Sequence, residues 1–238
     1  MRVIKIIDSA FRLNKYINFG EKMGILEILY RSPLGRIMSV VGNLFATFHK
    51  PFMVYGYFDN GSNRFLKYTR ISSTVTIMNR KALKLGEHVW VWHYTILDAT
   101  EGLMIGEGTQ IGAWVGIFTH GSENAIRLLG KEFVHINNEE RIGYTRGSVE
   151  IGSYTFVGAK SVILPGIKVG NGCLIGTGTL VTRDVPDYSV VVGSPGKIIG
   201  STMDIDRKFI SEYEELHNIY YDEQALRQIL NAIDEKNS

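Results

Sequence analysis

Aliphatic residues recur at every sixth position: Leu85, Val91 and Leu97, then Ile105, Ile111 and Ile117, then Ile151, Val157, Ile163, Val169, Ile175 and Val181. Glycine follows directly at 86, 106, 112, 152, 158, 170 and 176. A period of six fits neither a helix, with about 3.6 residues per turn, nor the two-residue alternation of a hairpin sheet. A short fixed repeat of this kind is a β-helix signature. Each hexad supplies a short strand with one inward aliphatic, and the glycine-bearing turns let the chain change direction. With three hexads per coil, the coils stack into a triangular prism.

The breaks in the rhythm carry as much information as the rhythm. Eight residues separate Leu97 from Ile105, and thirty-four separate Ile117 from Ile151. Counted from Leu85, the first break follows the third hexad and the second follows the sixth, so both fall at one corner, a coil apart. His120, in "GIFTHGS", stands at the root of the longer insertion. A loop rooted on a rigid scaffold is a usual home for a functional residue.

The flanks follow other patterns. Residues 1–50 read as helical: "EKMGILEILYR" and "SPLGRIMSVVGNLFATFHK" space apolar residues three and four apart, with Ser32 and Pro33 as N-cap and first turn. Residues 51–84 read as short strands around an Asp-Asn-Gly-Ser turn, leading into a prism over 85–200 with its loop at 121–149. Two prolines and a Ser-Pro-Gly turn close the prism. The tail, residues 201–238, is expected to be helical, with Asp222 as an N-cap. Leu226, Ile229, Leu230 and Ile233 give its last helix an apolar face to pack on the prism or on another subunit.

Composition narrows the class. With 238 residues, 45% apolar and 21% charged, the chain suits one large domain with helical attachments and can bury a core. A formal net charge of +2, spread evenly, argues against a nucleic-acid partner. The single cysteine, Cys173, rules out an intrachain disulfide, a cysteine zinc cluster and a C-x-x-C pair; in "GNGCLIG" it reads as a small apolar turn residue. The first residues lack a secretory pattern. The longest apolar run, "IMSVVGNLFATF", is shorter than the ~18 residues of a membrane span. It reads as a packed helix, with weak peripheral membrane contact as the alternative. A cytoplasmic location is expected.

The hexads together with "IGAWVGIFTHGS" and "VEIGSYTFVGAKSVILPGIKVGNGCLIGTGTLVTRDVPDYSVVVGSPGKIIG" resemble the hexapeptide-repeat acyltransferases, whose fold is a left-handed parallel β-helix. Within that group the sequence is similar to bacterial sugar O-acetyltransferases: the galactoside and maltose enzymes and those of capsule and O-antigen. The resemblance spans roughly residues 85 to 200. It implies a mainly β protein, a homotrimer, with acetyl-CoA as donor in a groove between neighbouring prisms and no metal. It implies His120 as general base. For the donor it points to Phe156, where the family has tryptophan, and to Ala159, Thr177, Gly178, Thr182, Arg183 and Lys197. His93 stands where the galactoside enzymes carry an acceptor-facing asparagine.

The chemistry fits these residue types. Transfer from a thioester to a sugar hydroxyl needs the hydroxyl proton removed, and a histidine, with a reference pKa near ~6.5, suits that task. Arginine and lysine meet phosphates by charge-assisted hydrogen bonds. On the acceptor side His93 is either a ligand or a polar strand residue, and Asp98 either binds a sugar hydroxyl or caps a turn. Trp114 either stacks on a sugar ring or lines a subunit contact. Glu123 either orients His120 and contacts the acceptor or is solvated. The expectation is therefore an O-acetyltransferase acting on a sugar or polysaccharide acceptor. The alternatives are N-acetylation of an amino sugar, serine O-acetylation, a γ-type carbonic anhydrase using His88, His93 and His120 on zinc, and a non-catalytic β-helix.

Overall fold

The computed structural model describes residues 50–237 together with Ser32, Leu34, Gly35, Ile37, Val40 and Val41. The chain divides into two units, residues 1–50 and 51–238. In the first, Leu34, Gly35, Ile37, Val40 and Val41 are helical, and the Ser32 hydroxyl accepts from the Leu34 amide at 3.2 Å. The rest of the helical expectation for residues 1–50 lies outside the described residues.

In the second unit the hexads build a three-faced parallel β-helix. The first face stacks Arg64–Ser72, Trp90–Val91, Gln110–Ile111, Phe156–Val157, Leu174–Ile175 and Ser189–Val192. The second stacks Thr76–Met78, Ile96–Asp98, Gly116–Ile117, Val162–Ile163 and Leu180–Val181. The third stacks Leu83–Leu85, Leu103–Ile105, Val149–Ile151 and Lys168–Val169. Pairing is in register, with Val91 beside Ile111 and Leu97 beside Ile117, so every hexad aliphatic points into one column of core. Those aliphatics are buried, from Val91 and Leu97 to Ile163 and Ile175.

The prism begins two hexads earlier than the glycine-marked hexads suggest. Ile71 pairs with Val91 and Ile77 with Leu97, and Ile71, Ile77 and Leu85 make the first coil. The strands at 64–78 are therefore part of the prism and not only a lead-in. The spacing of eight from Ile77 to Leu85 repeats that from Leu97 to Ile105; neither Ile71 nor Ile77 is followed by the glycine that marks later hexads.

Two devices hold the corners. Between the first and second faces the chain turns through a left-handed position, occupied by Tyr94, Trp114, Lys160 and Gly178 at φ of 60°, 63°, 61° and 72°. Glycine takes that conformation without strain and other residues rarely do, so the three side chains are held there by the surrounding ladder. The inward hydroxyls Thr95, Thr109, Thr155 and Ser161 each donate to a glycine carbonyl of the next coil at 2.6–2.9 Å, so these buried polar groups are paired.

The ends are closed differently. At the N-terminal end Met53–Asp59 pairs antiparallel with Arg64–Ser72. This hairpin crosses the prism mouth: Arg70 pairs with Trp90 on the first face, while Gly61 abuts the Leu83 carbonyl on the third. Leu66 and Tyr57 plug the core beneath it, and buried Asp59 accepts from the Leu85 amide. Within the inserted loop lies a short helix, α1 (Ala125–Leu129). After the last coil come α2 (Thr202–Glu212) and α3 (Glu223–Asn237). Asp222 caps α3 by accepting from the Gln224 and Ala225 amides, both at 2.9 Å. The apolar face of α3 packs on α2, around Ile210, Leu226 and Ile229. Tyr221, stacked on Tyr154 at 4.5 Å, and Tyr188, bonded to Asp222, join this pair to the prism.

Candidate active site

All three breaks in the hexad rhythm, Ile77 to Leu85, Leu97 to Ile105 and Ile117 to Ile151, fall at the corner between the second and third faces. Asp98 ends the strand Ile96–Asp98 one coil above Thr119 and His120. Its carboxylate is fully buried. Oδ2 accepts from the Thr119 amide at 2.9 Å and hydroxyl at 3.0 Å, and Oδ1 accepts from the Thr100 amide at 2.9 Å. Burial pushes its pKa up, but the bonds from Thr100 and Thr119 together outweigh burial and leave it below the ordinary carboxylate value. An ionised carboxylate is thus fixed inside the corner.

The His120 ring lies against it. Nδ1 is 2.7 Å from Asp98 Oδ2, with the His120 side chain 24% exposed. Nδ1 is buried without a well-aligned hydrogen bond, so the approach is an ionic contact more than a straight N–H···O bond. It still distinguishes the nitrogens: Nδ1 is the one that faces Asp98. Tyr144 stacks on the imidazole, its ring centre 5.9 Å away and its plane tilted by 15°.

The inserted loop is tied at its root. His120–Gly121 pairs antiparallel with Thr145–Arg146, so the loop leaves and returns through a two-residue ladder. Arg146 reaches Glu101 of the insertion between Leu97 and Ile105 at 2.6 Å, and its guanidinium lies 4.8 Å from the Tyr144 ring centre. Glu123 accepts from the Thr145 hydroxyl at 2.7 Å. Its own amide, then Thr145, hold the Glu123 carboxyl below the ordinary value. The arrangement makes the loop a braced platform beside His120.

Several sequence expectations are revised here. Asp98 has no exposed surface to offer a sugar hydroxyl; it caps a turn, the other reading, by accepting from the Thr100 amide, and its Oδ2 lies against His120. The carboxylate that touches the His120 ring is that of Asp98 and not Glu123, which is engaged with Thr145. His93 is not beside His120. It sits at the corner between the first and second faces, its Nδ1 2.6 Å from the Ser72 hydroxyl. His88 stacks on Tyr68 at 4.9 Å, so the three histidines considered for zinc each meet a different partner. Among the described residues no cluster of three or more His, Cys, Asp or Glu side chains is placed to hold a metal.

The remaining residues fall into two groups. Trp114, 57% exposed and stacked on Tyr94 at 4.5 Å, shares His93's corner with Ala159, Thr177 and Gly178. Phe156 faces outward on the first face, half exposed. Thr182, Arg183 and Lys197 line one cavity of about 220 Å³ under the last coil, walled by Val181, Val185 and Val191. Thr182 and Arg183 lie on the same corner as His120. Sequence reasoning missed Tyr144, Thr119 and the Glu101–Arg146 pair.

Comparison with known proteins agrees with the coil geometry. Residues 148–183 match the model of the bacterial transferase hexapeptide family (six repeats). A putative acetyltransferase of Staphylococcus aureus is 41% identical over 68 residues, 28% of this chain and 32% of that protein. A chloramphenicol acetyltransferase of Morganella morganii is 30% identical over 110 residues, 43% of this chain and 52% of that one. The chain thus spans about a third to a half of the length of these curated relatives. Among solved structures, a maltose O-acetyltransferase from Clostridium difficile aligns over 54% of this chain and 64% of its own, with 24% identity and a TM-score of 0.45. An N-acyltransferase from Bacillus cereus, solved with dTDP and 3-hydroxybutyryl-CoA, covers 61% of this chain and 88% of its own, with 20% identity and a TM-score of 0.48. The fold is a left-handed parallel β-helix of hexapeptide repeats. Residues 148–183 of that repeat region are similar to the bacterial transferase hexapeptide family.

Proposed function

We propose that the protein is an acetyl-CoA-dependent O-acetyltransferase acting on a sugar hydroxyl, with His120 as general base. The observation that carries this reading is the contact between His120 Nδ1 and the buried Asp98 carboxylate at the root of the inserted loop. Acetyl-CoA supplies an activated thioester. Nε2 of His120 takes the acceptor hydroxyl proton as the oxygen attacks the carbonyl carbon. The C–S bond then breaks, and the thiolate leaves with that proton returned to it. Asp98 holds the ring and offsets the positive charge it gains. The half-exposed loop beside the histidine is the acceptor platform.

Donor binding suits two copies better than one. Ala159, Thr177 and Gly178 lie across the second face from His120, on the opposite edge of the same prism. A donor touching both edges needs a neighbouring copy to bring its His120 corner to this row, which supports the homotrimer. The outward row of the second face is apolar or small, Ile96, Gly116, Val162 and Leu180, and fits such packing. On the third face the corresponding row is Lys84, Met104, Glu150 and Lys168. Arg183 and Lys197, beside their cavity, would meet the phosphates of the donor.

The test is thiol release from acetyl-CoA with a panel of acceptors: mono- and oligosaccharides, amino sugars and chloramphenicol. Acceptor-dependent release that His120→Ala abolishes supports the reading. Release confined to the amino sugars would move the reaction to nitrogen, and acceptor-independent behaviour across the panel would refute it.

A further inference from the structure

The hairpin that closes the N-terminal end of the prism carries an unusual charge balance. Residues 51–87 contain six cations, Arg64, Lys67, Arg70, Arg80, Lys81 and Lys84, and two carboxylates, Asp59 and Glu87, the latter accepting from the Tyr68 amide at 3.2 Å. Asp59 is fully buried and committed to the Gly61 and Leu85 amides. Five of the cations are exposed, and none of those five forms an ion pair among the described residues. The sixth, Arg70, is sandwiched between the rings of Tyr55 and Trp90, 4.4 and 4.3 Å from their centres. The formal net charge of the chain is +2, made of +5 in residues 1–50, +4 in residues 51–87 and −7 in residues 88–238.

Large apolar side chains are exposed there as well. Phe58 and Phe65 face each other across the hairpin and are 50% and 59% exposed. They cannot turn inward, because their strand neighbours Tyr57 and Leu66 occupy the core side. The pair therefore projects from the outer side of the hairpin, with Arg64 next to it in the chain and Lys67 following. Arg80, Lys81 and Lys84 belong to the same first coil.

We propose that this end of the prism docks on an anionic phospholipid bilayer, with Phe58 and Phe65 entering the headgroup region and the ring of cations meeting lipid phosphates. Cations alone would suit any polyanion. The projecting phenylalanine pair favours the bilayer, whose interface accepts aromatic rings while its anionic headgroups attract lysine and arginine. The pair stands on a projecting end and not in a groove, which is a poorer shape for threading a nucleic-acid strand. This surface is separate from the His120 corner and from the residues assigned to the donor.

The test is co-sedimentation of the full chain with phosphatidylcholine vesicles, with and without phosphatidylglycerol. Binding is expected only with phosphatidylglycerol and should weaken as salt is raised. Two variants, F58S/F65S and R64Q/K67Q/K81Q/K84Q, change exposed side chains only; circular dichroism melting checks that both fold as the parent does. Each should lower the partition coefficient by about tenfold or more. Absence of binding to phosphatidylglycerol vesicles overturns the proposal. So does binding that survives either variant: an unaffected F58S/F65S would mark a surface for soluble polyanions, and an unaffected charge variant a different contact.

Discussion

His120 and His93 make an instructive pair. Both stand at corners of the same prism, and both present Nδ1 to a side chain of the preceding coil. At His120 that side chain is a buried carboxylate 2.7 Å away; at His93 it is the Ser72 hydroxyl at 2.6 Å. A carboxylate stabilises the imidazolium that forms when a base takes a proton, whereas a hydroxyl orients the ring without supplying charge. Their corners differ too. His93's is tight, with aromatic neighbours Trp92 and Tyr94 packed edge-on against its ring. His120's is opened by insertions in three successive coils. Identical residues on one scaffold are thus suited to different work: proton transfer at one corner, contact at the other.

The largest effect expected from breaking this comparison is at His120 itself. His120→Ala should lower kcat by about 10²–10⁴, the usual worth of a positioned general base. It should leave the melting temperature little changed, because no hexad aliphatic is lost.

Asp98→Asn comes next. Loss of a charge-assisted contact of about 1.5–3 kcal/mol corresponds to roughly a tenfold to hundredfold fall in kcat. The same variant carries a stability signature. Because the folded pKa of Asp98 lies below the ordinary value of 3.8, the unfolded chain takes up this proton first as pH falls. The stabilisation is therefore present above pH 3.8 and is lost as pH drops through the lower folded value. Denaturant titrations from neutral pH down should show that acid-dependent component in the parent and not in Asp98→Asn.

Arg183→Ala and Lys197→Ala should act on the donor, raising the KM for acetyl-CoA by several-fold with acceptor KM unchanged. The effect is modest because both side chains are exposed, where charge contacts are screened. Initial-rate kinetics with each substrate varied in turn decides this. A change in acceptor KM alone would detach both residues from the donor.

The smallest effect is at His93. His93→Gln should shift acceptor KM by a few-fold at most and leave the pH dependence of kcat untouched. A loss as large as that of His120→Ala would erase the distinction between the two corners.

The prism was legible in the sequence because a β-helix repeats its chemistry: inward aliphatics at fixed spacing are a physical requirement of each coil. The corner carrying His120 was legible from the two insertions. Asp98 and His120 are twenty-two residues apart, close to the twenty residues that separate Val91 from Ile111, so the coil period already brings them near each other. What spacing could not supply was burial. Asp98 was left open between a sugar ligand and a turn cap because nothing local shows that Thr119 closes over it. Tyr144 and the Glu101–Arg146 pair lie in or against the insertion, where no repeat fixes position and only tertiary packing decides which side chains meet. Glu123, nearer to His120 in the chain, was the natural orienting candidate for that reason.

The central claim, that His120 is the proton acceptor in acetyl transfer, is tested most directly by the pH dependence of kcat for the wild type and His120→Ala, with acetyl-CoA and an acceptor both saturating. The wild type should show a limb in which kcat rises with pH, as expected of a base that must be deprotonated to act. In His120→Ala that limb should be absent and the residual rate low. A variant that keeps both the limb and near-native turnover would contradict the claim.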